Sequence, residues 1–167
     1  DDLADEAAAG QLELELHFNI ADCFCMLMKT HGEQFVPVYM EALHQKVMMM
    51  ASPECLVPDR QFAIWIIDDL IEHGGSAVVP LLEPFLQALL SGVVHEDPAL
   101  RQPCAHGLGW ITRLYGSYLH GHVATIINAL VECIQMGEQP DEPRGSTVDN
   151  AVSALGVVCE TLGSEIP

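Results

Sequence analysis

Positive charge is scarce in this chain. Its 167 residues hold 6 Lys and Arg against 24 Asp and Glu, a formal net charge of -18. A protein that grips nucleic acid through phosphate charge needs a basic surface, so direct nucleic-acid binding is excluded. Docking on an anionic membrane surface is disfavoured for the same reason. No uncharged apolar run reaches the roughly 18 residues that a membrane-spanning helix needs, so membrane insertion is not expected. The run 62–67, for instance, ends at Asp68 and Asp69. No cationic start precedes an apolar segment, so no signal peptide is visible. No stretch alternates with period two over a useful length, which argues against sheets.

What is present is apolar content. Half of the residues are hydrophobic, far above a disordered composition. A chain of this length buries about two thirds of its unfolded surface and supports a real core. The acid excess suits basic partners, with solubility as its other use. The chain begins at Asp1, and it reads as a piece of a longer protein.

The six cysteines are Cys23, Cys25, Cys55, Cys104, Cys133 and Cys159. None forms a CxxC pair or a zinc-finger spacing. Cys23, Cys104, Cys133 and Cys159 sit among apolar residues at helical spacing, which predicts reduced core or near-core thiols of an intracellular protein.

Internal repetition organises the rest. Gly32, Gly75, Gly116 and Gly163 each follow an apolar segment, about 41–47 residues apart. Val36-Pro37 recurs as Val79-Pro80, Arg60-Gln61 as Arg101-Gln102, and Leu108-Gly109 as Leu155-Gly156. The longest interval contains 136–145, whose Gly137, Pro140, Pro143 and Gly145 read as an elongated acidic loop. Helical patterns fall at 12–30, 34–50, 58–73, 79–94, 98–115, 118–136 and 147–162. In 58–73, Phe62, Ala63, Ile66, Ile67, Leu70 and Ile71 form one wide apolar arc. Gln61, Asp68, Asp69 and Glu72 form the opposite stripe, with Trp65 inside it. Gly74 and Gly75 end that helix by accepting a left-handed backbone. Pro84 is expected to bend the next helix or delay its start.

Paired antiparallel helices at this period predict an all-α HEAT-repeat solenoid, wound as a right-handed superhelix. About three and a half repeats fit as one segment over 1–167, at 11–52, 58–95, 97–137 and, in part, 146–167. The final half-repeat would leave an apolar face uncapped.

These same residues resemble a known family. The segment 58–73 (PDRQFAIWIIDDLIEH) is similar to the beta-karyopherins, the importin-beta-like nuclear transport receptors. Leu100-Arg101-Gln102 with Gly107-Leu108-Gly109, the segment 147–156 (TVDNAVSALG) and the turn 32–37 (GEQFVP) match further repeats in the expected order. The resemblance implies a receptor of many HEAT repeats that carries cargo through nuclear pores and exchanges it against Ran-GTP. Its implied partners are cargo with basic import signals, the Ran GTPase and nucleoporins. It implies shuttling between cytoplasm and nucleus, no cofactor and no catalytic residues. Three departures stand out: Pro103, expected to kink its helix, His106, and Val157.

The candidate protein-binding residues are the stripe acids Asp68, Asp69 and Glu72 and the loop acids Glu138, Asp141 and Glu142. The alternatives are ties between repeats for the stripe, with Lys46, Arg60 or Arg101 as partners, and plain solvation for the loop. A long acidic loop can also draw in a basic segment. Met48-Met49-Met50 reads as packing rather than a groove. A HEAT scaffold of another complex is the competing binding function. A catalytic alternative is the di-iron HEAT hydroxylase, which needs repeated His-Glu dyads. Here His95-Glu96 occurs once, in a turn, so no metal ligands are assigned. His120 and His122 read as a solvated pair and His73 as a cap on its own helix. Cys104 and His106, two residues apart, point in different directions on a helix. No serine lies in a nucleophile elbow, and Gly107-Leu108-Gly109 follows no strand and is no phosphate loop. Close helix packing explains those glycines instead.

Overall fold

Leu and Ala are the commonest of the first thirty residues, and both are strong helix formers. The computed structural model, which describes residues 2–137 and 146–166, accordingly starts the first helix at Asp2 rather than near residue 12. The helices are α1 (Asp2–His31), α2 (Val36–Ala42), α3 (His44–Met50), α4 (Val57–His73), α5 (Leu82–Val93), α6 (Pro98–Tyr115), α7 (Val123–Gly137) and α8 (Ser146–Leu162). Among the described residues there is no strand. The fold is an all-α HEAT-repeat solenoid.

The long helices form one layer. α4 packs between α1 and α6, and α6 packs between α4 and α8. The shorter helices form a second layer, with α3 against α4, α5 against α6, and α7 against α8. The core runs between the layers. All six residues of the predicted apolar arc of α4 are buried, as are Leu86, Leu89, Leu108, Ile111, Leu130 and Val158. Cys104 and Cys133 are buried as expected, but Cys23 and Cys159 are exposed, each on a helix face that no neighbour covers. Met48 and Met50 pack on the core while Met49 is exposed.

Helix ends differ from the sequence expectation where glycine and proline act. The segment expected at 34–50 is two helices joined at Leu43, whose N–H still reaches Tyr39 O at 2.8 Å. The segment 75–81 is a 3-10 turn containing Pro80, so α5 starts at Leu82 with Pro84 in its first turn. A proline costs little there, because that turn's N–H groups lack helical partners anyway. The stretch Gly75–Val93 is long and apolar enough to cross a membrane by length and composition, but half of it is buried inside this protein. Glu83 interrupts it, so it reads as a core element. Two 3-10 turns, Gly116–Tyr118 and His120–His122, delay α7 to Val123. Gly32 and Gly75 both have φ +52, the left-handed backbone that favours glycine. Their equivalence extends to contact, since Glu33 Oε1 accepts from Ser76 N at 2.5 Å.

Pro103 does not interrupt α6, which runs continuously from Pro98 to Tyr115. Proline removes the N–H that would bond Ala99 O. That carbonyl instead accepts from Gln61 Nε2 on α4 at 3.0 Å. The freed acceptor becomes a link to the neighbour. At the other end, Tyr115 Oη lies 3.0 Å from both Ile71 O and Gly75 O, its one proton shared between the two carbonyls.

The repeated arginines are buried fasteners. Arg101 Nη1 donates to His95 O at 2.9 Å and Glu96 O at 2.7 Å, holding the turn before α6. Arg60 Nη2 donates to Ser91 Oγ at 3.2 Å. Within the same turn as Glu96, His95 Nδ1 accepts from Asp97 N at 3.0 Å. The His-Glu pair is thus turn architecture.

Candidate interaction groove

A wide apolar arc on α4 leaves a narrow polar stripe between its two neighbours in the long-helix layer. There the structure forms an open groove of about 510 Å³. Phe18, Asp22 and Cys25 line it from α1, Trp65, Asp68, Asp69 and Glu72 from α4, Pro103 and His106 from α6, and Asn150 from α8. Trp65 is held by stacking on Phe18, with ring centroids 4.6 Å apart. The ring that the sequence placed in a polar stripe is therefore a groove wall. Four carboxylates and two aromatic rings face this groove, and no Lys or Arg among the described residues lines it.

The three stripe acids are not equivalent. Asp68 is buried against α6 because Gly107 lacks a side chain. A Cβ at Gly107 would collide with Asp68 Oδ1 and with Leu89. This is the close-packing role expected of that glycine. Asp68 Oδ2 lies 3.5 Å from His106 Nδ1, while Oδ1 has no hydrogen-bond partner. Burial pushes the Asp68 carboxyl up to about 6, with His106 opposing that rise. His106 in turn is raised by its contact with Asp68. Trp110 Nε1 donates to His106 Nε2 at 3.1 Å, and the Arg113 guanidinium sits 5.9 Å from the centre of the Trp110 ring. This chain of contacts extends the groove into a second hollow of about 190 Å³ between α6 and α8. Cys104 is buried while the His106 side chain is half exposed, so they diverge as expected.

Asp69 faces α1. Its carboxyl is raised by burial, an effect opposed by a hydrogen bond with Cys25. The Cys25 thiol is raised by burial and then by Asp69, while Lys29 lowers it. Glu72 is partly exposed and lies 3.8 Å from His73 Nε2. His73 does not cap its helix as expected. Gly74 N closes that end on Leu70 O at 2.8 Å, and the ring turns toward Cys25 and Asp69. Arg60 does not serve the acids, being hydrogen-bonded to Ser91. The partners described for the stripe are His106, His73, Cys25 and Lys29. Glu138, Asp141 and Glu142 lie outside the described residues. The expected solvated pair splits, since His122 Nε2 meets Glu83 Oε2 at 3.1 Å.

Sequence reasoning missed Phe18, Asp22 and Cys25, because a single helix wheel cannot say which face of α1 meets α4. The position of Trp65 within an acidic stripe was the available signal.

No family model matches the chain. Curated proteins do. The chain is 24% identical over 143 residues to a probable importin-5 homolog of Dictyostelium discoideum, covering 83% of this chain and 13% of that protein. It is 25% identical over 107 residues to importin subunit beta-3 of Saccharomyces cerevisiae, covering 64% of this chain and 10% of that protein. The similarity supports kinship with the importin-beta type of karyopherin. The chain spans about an eighth or less of the relatives it matches. With the helical layers it supports a HEAT scaffold of the transport-receptor kind.

Proposed function

We propose that this chain is part of an importin-5-like nuclear transport receptor, a non-enzymatic scaffold that binds basic cargo signals and yields them to Ran-GTP. The observation that carries the reading is the acidic groove lined by Asp22, Asp69, Glu72 and the Trp65 ring. An extended Lys/Arg segment suits such a surface, with carboxylates for its charges and an aromatic face for its stems. Asp68, largely withdrawn from solvent, serves by fixing α4 against α6. Glu138, Asp141 and Glu142 would add long-range attraction. Ran-GTP and cargo would favour different curvatures of the solenoid, the reciprocal coupling of a two-state scaffold. Nucleoporin contacts and shuttling between nucleus and cytoplasm belong to the same proposal.

The test is binding of a fluorescent basic import-signal peptide to the chain, with EDTA present. Asp22→Asn combined with Glu72→Gln is expected to weaken binding about tenfold, and rising salt is expected to weaken the wild type. Unchanged affinity in the double variant removes the groove as the cargo site. The receptor containing this segment is expected to be retained by Ran loaded with a non-hydrolysable GTP analogue and not by Ran-GDP. Retention independent of the nucleotide overturns the transport reading.

A further inference from the structure

Between α1 and α4, at the edge of the groove, Cys25, Asp69 and His73 come together. One ligand-type atom from each lies within 4.8 Å of the other two. Asp69 and His73 are four residues apart on α4, so they share a helix face on successive turns. Cys25 meets them from the neighbouring helix. None of the three is fully exposed. His73 Nε2 is buried and has no hydrogen-bond partner, an unusual state for a polar atom that water cannot reach. Neither the helix cap nor a backbone carbonyl uses it.

We propose that Cys25, Asp69 and His73 form a zinc site that clasps α1 to α4. The donor set is one thiolate, one carboxylate and one imidazole. This mixture of sulfur, oxygen and nitrogen matches zinc and excludes the all-oxygen preference of magnesium and calcium. A zinc ion about 2.0–2.3 Å from each donor draws the three closer together than they lie here, by side-chain rotation. Water takes the fourth position, beside Glu72, whose Oε1 is 3.8 Å from His73 Nε2. Binding replaces the thiol proton of Cys25, which leaves to solvent as the Zn–S bond forms. Lys29, which now contacts Cys25 and feels Asp69 and Glu72, stays beside the thiolate and offsets part of the negative charge. The metal is structural: it joins two helices that also stack His17 on Phe62 and Phe18 on Trp65. The site does not depend on the transport reading.

The experiment is titration of the chelator-treated whole chain with cobalt as a spectroscopic probe, then with zinc by calorimetry. One cobalt per chain, with a thiolate-to-cobalt charge-transfer band, is expected. Zinc is expected to bleach that band and to raise the thermal midpoint, as a ligand of the native state must. Cys25→Ser is expected to abolish the band, and His73→Asn or Asp69→Asn to weaken zinc binding by more than about tenfold. Cys23→Ser, at an exposed position on the same helix, is expected to change neither readout. Far-ultraviolet circular dichroism separates lost binding from lost folding. A cobalt spectrum without the thiolate band overturns the site. So does equal zinc uptake by folded Cys25→Ser and His73→Asn, which would place the metal on other histidines.

Discussion

Asp68 shows how one side chain can belong to a charged stripe in sequence and to the interior in space. Its carboxyl faces His106 and Gly107 from α6, with Asp69 and Glu72 beside it on α4 and Cys104 nearby. Burial raises its proton affinity to about 6, against an ordinary value of 3.8. A group raised in the folded state contributes stability below its unfolded value and loses that contribution as pH rises through the folded one. His106 is raised too, so both groups favour the folded state more at mildly acidic pH. With EDTA present, wild-type stability is expected to fall from pH 5 to pH 8. Asp68→Asn is expected to flatten that slope and to add on the order of 1–2 kcal/mol at pH 8, about 2–6 °C in thermal midpoint. Thermal melts across that range check it; a variant with an unchanged slope removes Asp68 as the cause.

Individual helices were largely legible in the sequence, and their joints were not. The apolar arc of α4 is a local periodicity, so Phe62, Ile66, Ile67 and Ile71 could be assigned to the core before any neighbour was known. The cost of Pro103 could not be read from α6 alone, because the carbonyl it frees is met by a residue of another helix. Gln61 supplies the donor for Ala99 O that a backbone N–H at position 103 would otherwise have provided. Exposed Cys23 and Cys159 erred for a similar reason, since apolar flanks do not tell which face a partner covers. The Gln61 link makes a sharp prediction. Gln61→Ala is expected to cost about 1 kcal/mol in the wild type. In a Pro103→Ala background the restored backbone N–H serves the same carbonyl, and the cost is expected to be smaller. A urea-denaturation double-mutant cycle measures that coupling. Strict additivity of the two changes would show that the link carries no energy.

Across the whole molecule, each long helix is stabilised by the neighbours it touches. α4 and α6 have a long helix on both sides, whereas α1 and α8 have one each within this chain. In a stack of this kind stability is a sum of units and interfaces, so opening begins where an interface is missing. Hydrogen exchange is expected to be slowest for the amides of α4 and α6 and faster in α1 and α8. Equal protection throughout would mark the chain as a single cooperative unit instead. The exposed Leu12, Leu16, Met26 and Leu27 of α1 fit that gradient.

The links at the two ends of the α4–α6 pair have a mechanical meaning. Gln61 ties one end of the pair through Ala99 O, and Tyr115 ties the other through Ile71 O and Gly75 O. A rung pinned at both ends resists splaying and twisting alike. α8 is held to α6 by Asn150 Nδ2 on Gln102 O and Thr147 Oγ1 on Pro98 O, both near the start of each helix. At the far end, Thr161 and Leu162 rest on Gly116. Apolar contacts slide more readily than hydrogen bonds break. α4 and α6, tied at both ends, are therefore expected to hold their mutual angle more firmly than α6 and α8, whose described hydrogen bonds lie at one end.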